Sequence, residues 1–187
     1  IYLMATYSGV YYSTTGKSWT MVSGLANSAY KLSIAMGLII ALGWGGPSSG
    51  KSVWYSTDGI NFTLAFSTNS SIGGVGSTVA QGGIIDTGKV LVILCTEGNG
   101  YCLYSEDGKT WTKGETGFTT IAAYNNGVMI SNNMKYSTDG ITWYNSNLTG
   151  IQGGTNILYN KGIWVTKASG TSGDVYCSLA TPFIETE

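Results

Sequence analysis

Apolar residues recur along the chain in short runs rather than at helical spacing. The runs are Tyr2-Leu3-Met4-Ala5, Leu38 to Leu42, Val90 to Cys95, Val128-Met129-Ile130 and Ile163-Trp164-Val165. Residues apolar at consecutive positions, in runs this short, predict strands covered on both faces. Four of the five runs follow a glycine directly or within two residues: Gly37, Gly88, Gly127 and Gly162. Shorter candidates precede those glycines, at Ser33 to Met36, Thr120 to Tyr124 and Asn156 to Tyr159. Leu32 to Leu42 therefore reads as two core strands with a turn at Gly37. At eleven residues with a glycine inside, it is too short for a bilayer span, which needs about 20. No window of twelve residues shows helical periodicity, and the glycine spacing opposes one.

Downstream of each apolar run stands a polar signature. Four segments align without gaps: Tyr12-Ser13-Thr14-Thr15-Gly16-Lys17-Ser18-Trp19, Tyr55 to Phe62, Tyr104 to Trp111 and Tyr136 to Trp143. The shared pattern is Tyr-Ser-x-Asp-Gly-x-x-Trp, with Thr15 for Asp in the first copy and Phe62 for Trp in the second. A degenerate fifth copy begins at Val175-Tyr176-Cys177-Ser178. The serines fall at 13, 56, 105, 137 and 178, at intervals of 43, 49, 32 and 41. A period near 40 residues is that of one four-stranded propeller blade.

The pattern has a physical reading. Asp-Gly between two β-rich runs signals a hairpin, because Gly tolerates positive φ and Asp bonds the local backbone. The serine hydroxyl two residues before Asp can satisfy turn amides as well. The flanking Tyr and Trp are expected on the two strands of the hairpin, packed between repeats. Each repeat then reads as strand, Gly turn, strand, loop, strand, Asp-Gly turn, strand. The structural turns are Ser13 and Gly16; Ser56, Asp58 and Gly59; Ser105, Asp107 and Gly108; and Ser137, Asp139 and Gly140. The expected inter-repeat aromatics are Trp19, Phe62, Trp111 and Trp143.

These copies resemble the Asp-box, or bacterial neuraminidase repeat, of sialidase-like β-propellers. The usual box is Ser-x-Asp-x-Gly-x-x-Trp, and every copy here is one residue shorter between Asp and Gly. The shorter form is similar to repeats in phage tail proteins and bacterial surface or secreted proteins. The resemblance covers nearly the whole chain. It implies an all-β fold: a small β-propeller of about five four-stranded blades, closed by pairing of the N- and C-terminal segments, with residues 181–187 as the weakest strand candidate. The repeats divide a single domain, 1–187, at roughly 1–23, 24–68, 69–114, 115–149 and 150–187. A segment of a longer six- or seven-bladed ring is the alternative. The box itself is a structural turn in that family and implies no chemistry.

Composition narrows the function. The 187 residues include 28 Gly, no His and nine basic residues, all Lys. Without His there is no Ser-His-Asp or Cys-His arrangement and no His metal ligand. Without Arg there is no bidentate fork for a carboxylate or phosphate. The family's sialidase activity, which resides in an arginine cluster, therefore does not carry over. A net charge of −1 gives no footprint for nucleic acid or an anionic membrane, and no membrane insertion is expected. No cofactor and no metal are expected.

Asp58, Asp107 and Asp139 stand one per repeat, too far apart for paired catalysis, which needs carboxylates within about 5–10 Å. Gly73 to Thr78 superficially resembles a phosphate loop, but no Lys follows and no helix starts. Cys95 and Cys102 flank a hairpin loop; they either bridge it or are two buried thiols. Cys177 has no assigned partner. The chain opens on Ile1, as expected of a processed product or a piece of a longer polypeptide.

The remaining candidates lie in the loops between the second and third strands: Trp44, Ser48, Asn99, Tyr101, Asn132 and Ser172. Aromatics among hydroxyls and amides have the composition of a neutral glycan site. The expected function is a non-enzymatic binding or display module of a phage tail or fibre, or of an exported surface protein. It would lie outside the cell or on the virion surface, and meet a cell-surface glycan or protein receptor and other virion or surface subunits. Two alternatives stand beside it: a purely structural virion or filament subunit, and a polysaccharide-degrading glycosidase using pairs among the ten carboxylates.

Overall fold

A computed structural model describes residues 1–6, 8–25, 31–44, 51–67, 84–95, 100–117, 122–125, 127–131, 135–145, 157–160, 163–167 and 175–179. The fold is all-β, with no helix among the described residues. Among the described residues, eighteen short strands form five antiparallel sheets, each a simple up-and-down meander.

The first sheet holds β1 (Tyr2–Thr6), β2 (Gly9–Ser13) and β3 (Thr20–Met21). The second holds β4 (Lys31–Ala35), β5 (Leu38–Trp44), β6 (Lys51–Ser56) and β7 (Thr63–Ser67). In the third are β8 (Ile85–Asp86), β9 (Leu91–Cys95), β10 (Tyr101–Ser105) and β11 (Thr112–Thr116). The fourth contains β12 (Ala122–Asn125), β13 (Val128–Ser131), β14 (Lys135–Ser137) and β15 (Tyr144–Asn145). The fifth contains β16 (Ile157–Asn160), β17 (Ile163–Lys167) and β18 (Val175–Leu179).

The expected order of strand, Gly turn, strand, loop, strand, box turn, strand is thus observed in the middle three sheets. The turn at Gly37 has Met36 at φ 50° and Gly37 at φ 72°, two consecutive left-handed residues of the kind that close a tight hairpin. The first sheet lacks the opening strand that β4, β8 and β12 supply elsewhere, so one edge of β1 carries no partner among the described strands. Residues 181–187, expected to close the fold, lie outside the described residues, as does Gly73 to Thr78.

Registers make the sheets equivalent residue by residue. Tyr2 faces Ser13, Ile39 faces Ser56, Leu91 faces Ser105, Met129 faces Ser137 and Trp164 faces Ser178. One position on, Leu3, Ile40, Val92, Ile130 and Val165 are likewise equivalent. Because side chains alternate along a strand, each central sheet sends one set of residues toward the preceding sheet and the next set toward the following one.

The core is accordingly a series of inter-sheet clusters. Between the first and second sheets lie Val10, Val22, Leu25 and Ala41, flanked by Leu3, Tyr12, Trp54 and Phe62. Leu38, Ile40, Leu42 and Val53 of the second sheet meet Leu91, Ile93, Leu103 and Trp111 of the third. Val90, Val92 and Cys102 of the third meet Met129 and Trp143 of the fourth. The third and fourth sheets are also joined by an ion pair between Lys135 Nζ and Glu115 Oε1.

Candidate functional site

The repeated turns are the best-defined polar constructions in the molecule. Each is built on a buried serine at the end of a third strand: Ser13, Ser56, Ser105 and Ser137 are at most 2% exposed. The N–H three residues on donates to its Oγ, from Gly16 (2.8 Å), Gly59 (2.9 Å), Gly108 (2.8 Å) and Gly140 (2.8 Å). In the three copies with Asp, the serine hydroxyl in turn donates to Oδ1 of Asp58 (3.0 Å), Asp107 (3.1 Å) or Asp139 (3.0 Å).

That same Oδ1 accepts two further backbone N–H groups. They come from Ile60 and Asn61 (both 2.8 Å), from Lys109 (2.7 Å) and Thr110 (2.6 Å), and from Ile141 and Thr142 (both 2.8 Å). The second oxygen is held too in two copies, by Asn61 Nδ2 (2.7 Å) and Thr110 Oγ1 (3.1 Å). Donors on a carboxylate favour its charged form. Asn61 foremost, with Ile60 and Ser56, holds Asp58 well below the usual carboxylate range. The Thr110 and Lys109 amides bring Asp107 down to about 2. At Asp139 burial pushes upward, but the amides of Ile141 and Thr142 outweigh it and the group is lowered. Carboxylates committed in this way are turn caps. No group of three or more His, Cys, Asp or Glu side chains suited to a metal occurs among the described residues.

The Asp-Gly turns do join antiparallel strands as hairpins, and one expectation about them needs correction. Tyr12, Tyr55, Tyr104 and Tyr136 pair across the sheet with Thr20, Thr63, Thr112 and Tyr144. The aromatics Trp19, Phe62, Trp111 and Trp143 therefore stand one residue before the fourth strand, inside the turn. The loop is also longer than a two-residue hairpin, because Asp caps amides two and three residues ahead rather than sitting in a tight turn.

Trp111 and Trp143 are 7% and 5% exposed between sheets, and the Trp111 indole N–H donates to the Gly108 carbonyl (3.3 Å). Phe62 is half-buried against the first-to-second-sheet cluster. Trp19 differs, at 38% exposed. Among the described residues no sheet packs on its face of the first sheet, so the expected inter-sheet packing is not seen there.

The glycines explain the close approach of the sheets. A Cβ on Gly59 would lie 3.2 Å from Leu3 Cδ1, one on Gly108 2.8 Å from Leu38 Cδ1, and one on Gly140 2.4 Å from Val92 Cγ2. Each box turn is thus seated on the second strand of the preceding sheet. A lysine reinforces one of these contacts: Lys109 Nζ lies 5.9 Å from the centre of the Tyr55 ring.

Of the expected ligand face, Ser48, Asn99, Asn132 and Ser172 lie outside the described residues, and for Trp44 only its place at the end of β5 is described. Tyr101 is not a surface platform. It is 2% exposed in the core between the second and third sheets. Lys113 Nζ lies 4.2 Å from the centre of its ring. Residues at the inner end of a loop inherit the strand's burial, which composition could not reveal. Cys95 pairs with Tyr101 and Cys102 with Leu94, so the two positions lie on alternate faces of the sheet. Cys102 is a free buried thiol, and burial pushes its pKa up to about 11.

No family model and no curated protein matches the chain. Among solved structures it is similar to the computationally designed Ika8 protein, with a TM-score of 0.55 and 10% identity, over 95% of this chain and 54% of that one. At that identity the likeness shows the fold alone, and this chain spans about half the length of that protein.

Proposed function

We propose that the five sheets are blades of the β-propeller type and that the chain is a non-enzymatic binding or display module. The observation that carries this reading is the uniform use of the repeated carboxylates. Asp58, Asp107 and Asp139 are absorbed by the N–H groups of their own turns, so the motif that dominates the sequence builds scaffold. Register equivalence supports a shared functional end. Loops 45–50, 96–99, 132–134 and 168–174 all join a second strand to a third. They therefore leave their sheets at the end opposite the box turns. Variable loops on a repeated scaffold are where recognition concentrates. Their Ser, Thr and Asn content, with Trp44 at the end of β5 beside the first of them, suits a neutral cell-surface glycan, presented to a module on a virion or an exported surface protein.

A glycan array probed with the purified chain tests the proposal. Binding that is lost on Trp44→Ala with the circular-dichroism spectrum unchanged is the expected result. Release of reducing ends from host polysaccharide would replace it with the depolymerase reading, and absence of any glycan signal would reject it.

A further inference from the structure

The first sheet carries an inter-sheet face on which no other sheet packs among the described residues. Tyr2, Met4, Tyr11 and Trp19 occupy the same register positions as Ile39, Ala41, Trp54 and Phe62, which in the second sheet meet the preceding sheet. In the third sheet the equivalent set is Leu91, Ile93, Leu103 and Trp111, and it is buried. On the first sheet, Tyr2 is 57% exposed and Met4 40%. Met21, which pairs with Tyr11, extends the patch at 44% exposed, and Trp19 is 38% exposed. A contiguous apolar patch of this kind marks an interaction surface.

Equivalence also identifies what fits it. In the second, third and fourth sheets this face receives the second strand of the preceding sheet, through the Leu3, Ile40 or Val92 position. The fifth sheet offers the same position at Val165, with Ile163 two residues before it. In this structure the fifth sheet stands beside the fourth, where β16 contacts β12. We infer that the first sheet docks onto the fifth sheet of a second copy of this chain, head to tail. The two faces are complementary rather than identical, so the contact is heterologous and propagates into a closed ring or a filament. A net charge of −1 puts little long-range repulsion between copies.

Sedimentation velocity of the full chain over a hundredfold concentration range tests this. Association is expected, with Trp19→Glu and Val165→Glu each monomeric. Mixing those two variants should restore a 1:1 dimer, since each retains one intact face. A wild-type chain that stays monomeric at all concentrations overturns the inference, whether or not either variant folds. Acrylamide quenching then separates the causes: a protected Trp19, by comparison with Trp19→Phe, means the chain's own fifth sheet closes the face. Association that survives Trp19→Glu in a folded protein also overturns it.

Discussion

Serine is the buried hub of each repeated turn, and aspartate its exposed outer brace. Ser137 is fully buried and accepts the Gly140 N–H, so Ser137→Ala leaves that donor without its partner. Loss of about 1–3 kcal/mol is expected in urea unfolding. Asp139→Ala removes a cap on two exposed amides and should cost less, about 0.5–2 kcal/mol, without altering any ligand binding. Gly140→Ala is a sharper test of the packing. It demands a side chain at φ 80° and places a Cβ within 2.4 Å of Val92 Cγ2. The expected loss is about 1–3 kcal/mol or more; a neutral result would refute the close seating of this turn.

The carboxylates also set an acid limit. Asp58, Asp107 and Asp139 all have lowered pKa values in the folded chain. Their contribution is therefore complete above the unfolded value of 3.8 and is lost as pH falls through the folded values. Stability should drop from about pH 4 toward pH 2. Asp107→Asn should flatten that slope in acid-unfolding curves; an unchanged slope would show that its turn bonds do not stabilise the fold.

At the level of elements, the strands are short, and each sheet relies on its neighbours for burial. Two-residue strands such as β3, β8 and β15 could not persist as isolated hairpins. The register of β6 with β7 shifts between Val53 and Trp54, and that of β10 with β11 between Tyr101 and Leu103. Such irregularities at outer strands blunt an edge that would otherwise pair with other chains. Box aromatics lock one sheet to the next, so their worth follows their cover. Trp143→Ala should cost about 3–5 kcal/mol as a buried aromatic. Trp19→Ala, on an open face, should cost far less in the monomer. Equal losses at the two sites in thermal unfolding would contradict the open first face.

At the level of the whole molecule, five sheets share a common register, and inter-sheet cores join the first four in series. Loops between second and third strands and box turns then fall at opposite ends of the sheets, the layout on which the proposed recognition role rests. The same repetition leaves the first sheet's apolar face exposed, and the proposed docking of a fifth sheet there would decide whether the unit works alone or in assemblies.

Much of this was written in the chain. Apolar runs after Gly37, Gly88 and Gly127 specify strands, and Tyr-Ser-x-Asp-Gly-x-x-Trp specifies the turns, because both depend on a few adjacent residues and on the local reach of a hydroxyl or carboxylate. The sequence likewise excluded His- and Arg-based chemistry outright. Burial was not legible in this way. Trp19 and Trp143 stand in the same motif, yet one is exposed and the other enclosed. Tyr101 borders a loop of surface-like composition, yet lies in the core. Cys95 and Cys102 flank one hairpin but hold register positions on alternate faces of the sheet. Each of these outcomes depends on which sheet stands alongside and on strand register. Those are contacts between residues tens of positions apart, which only the tertiary structure decides.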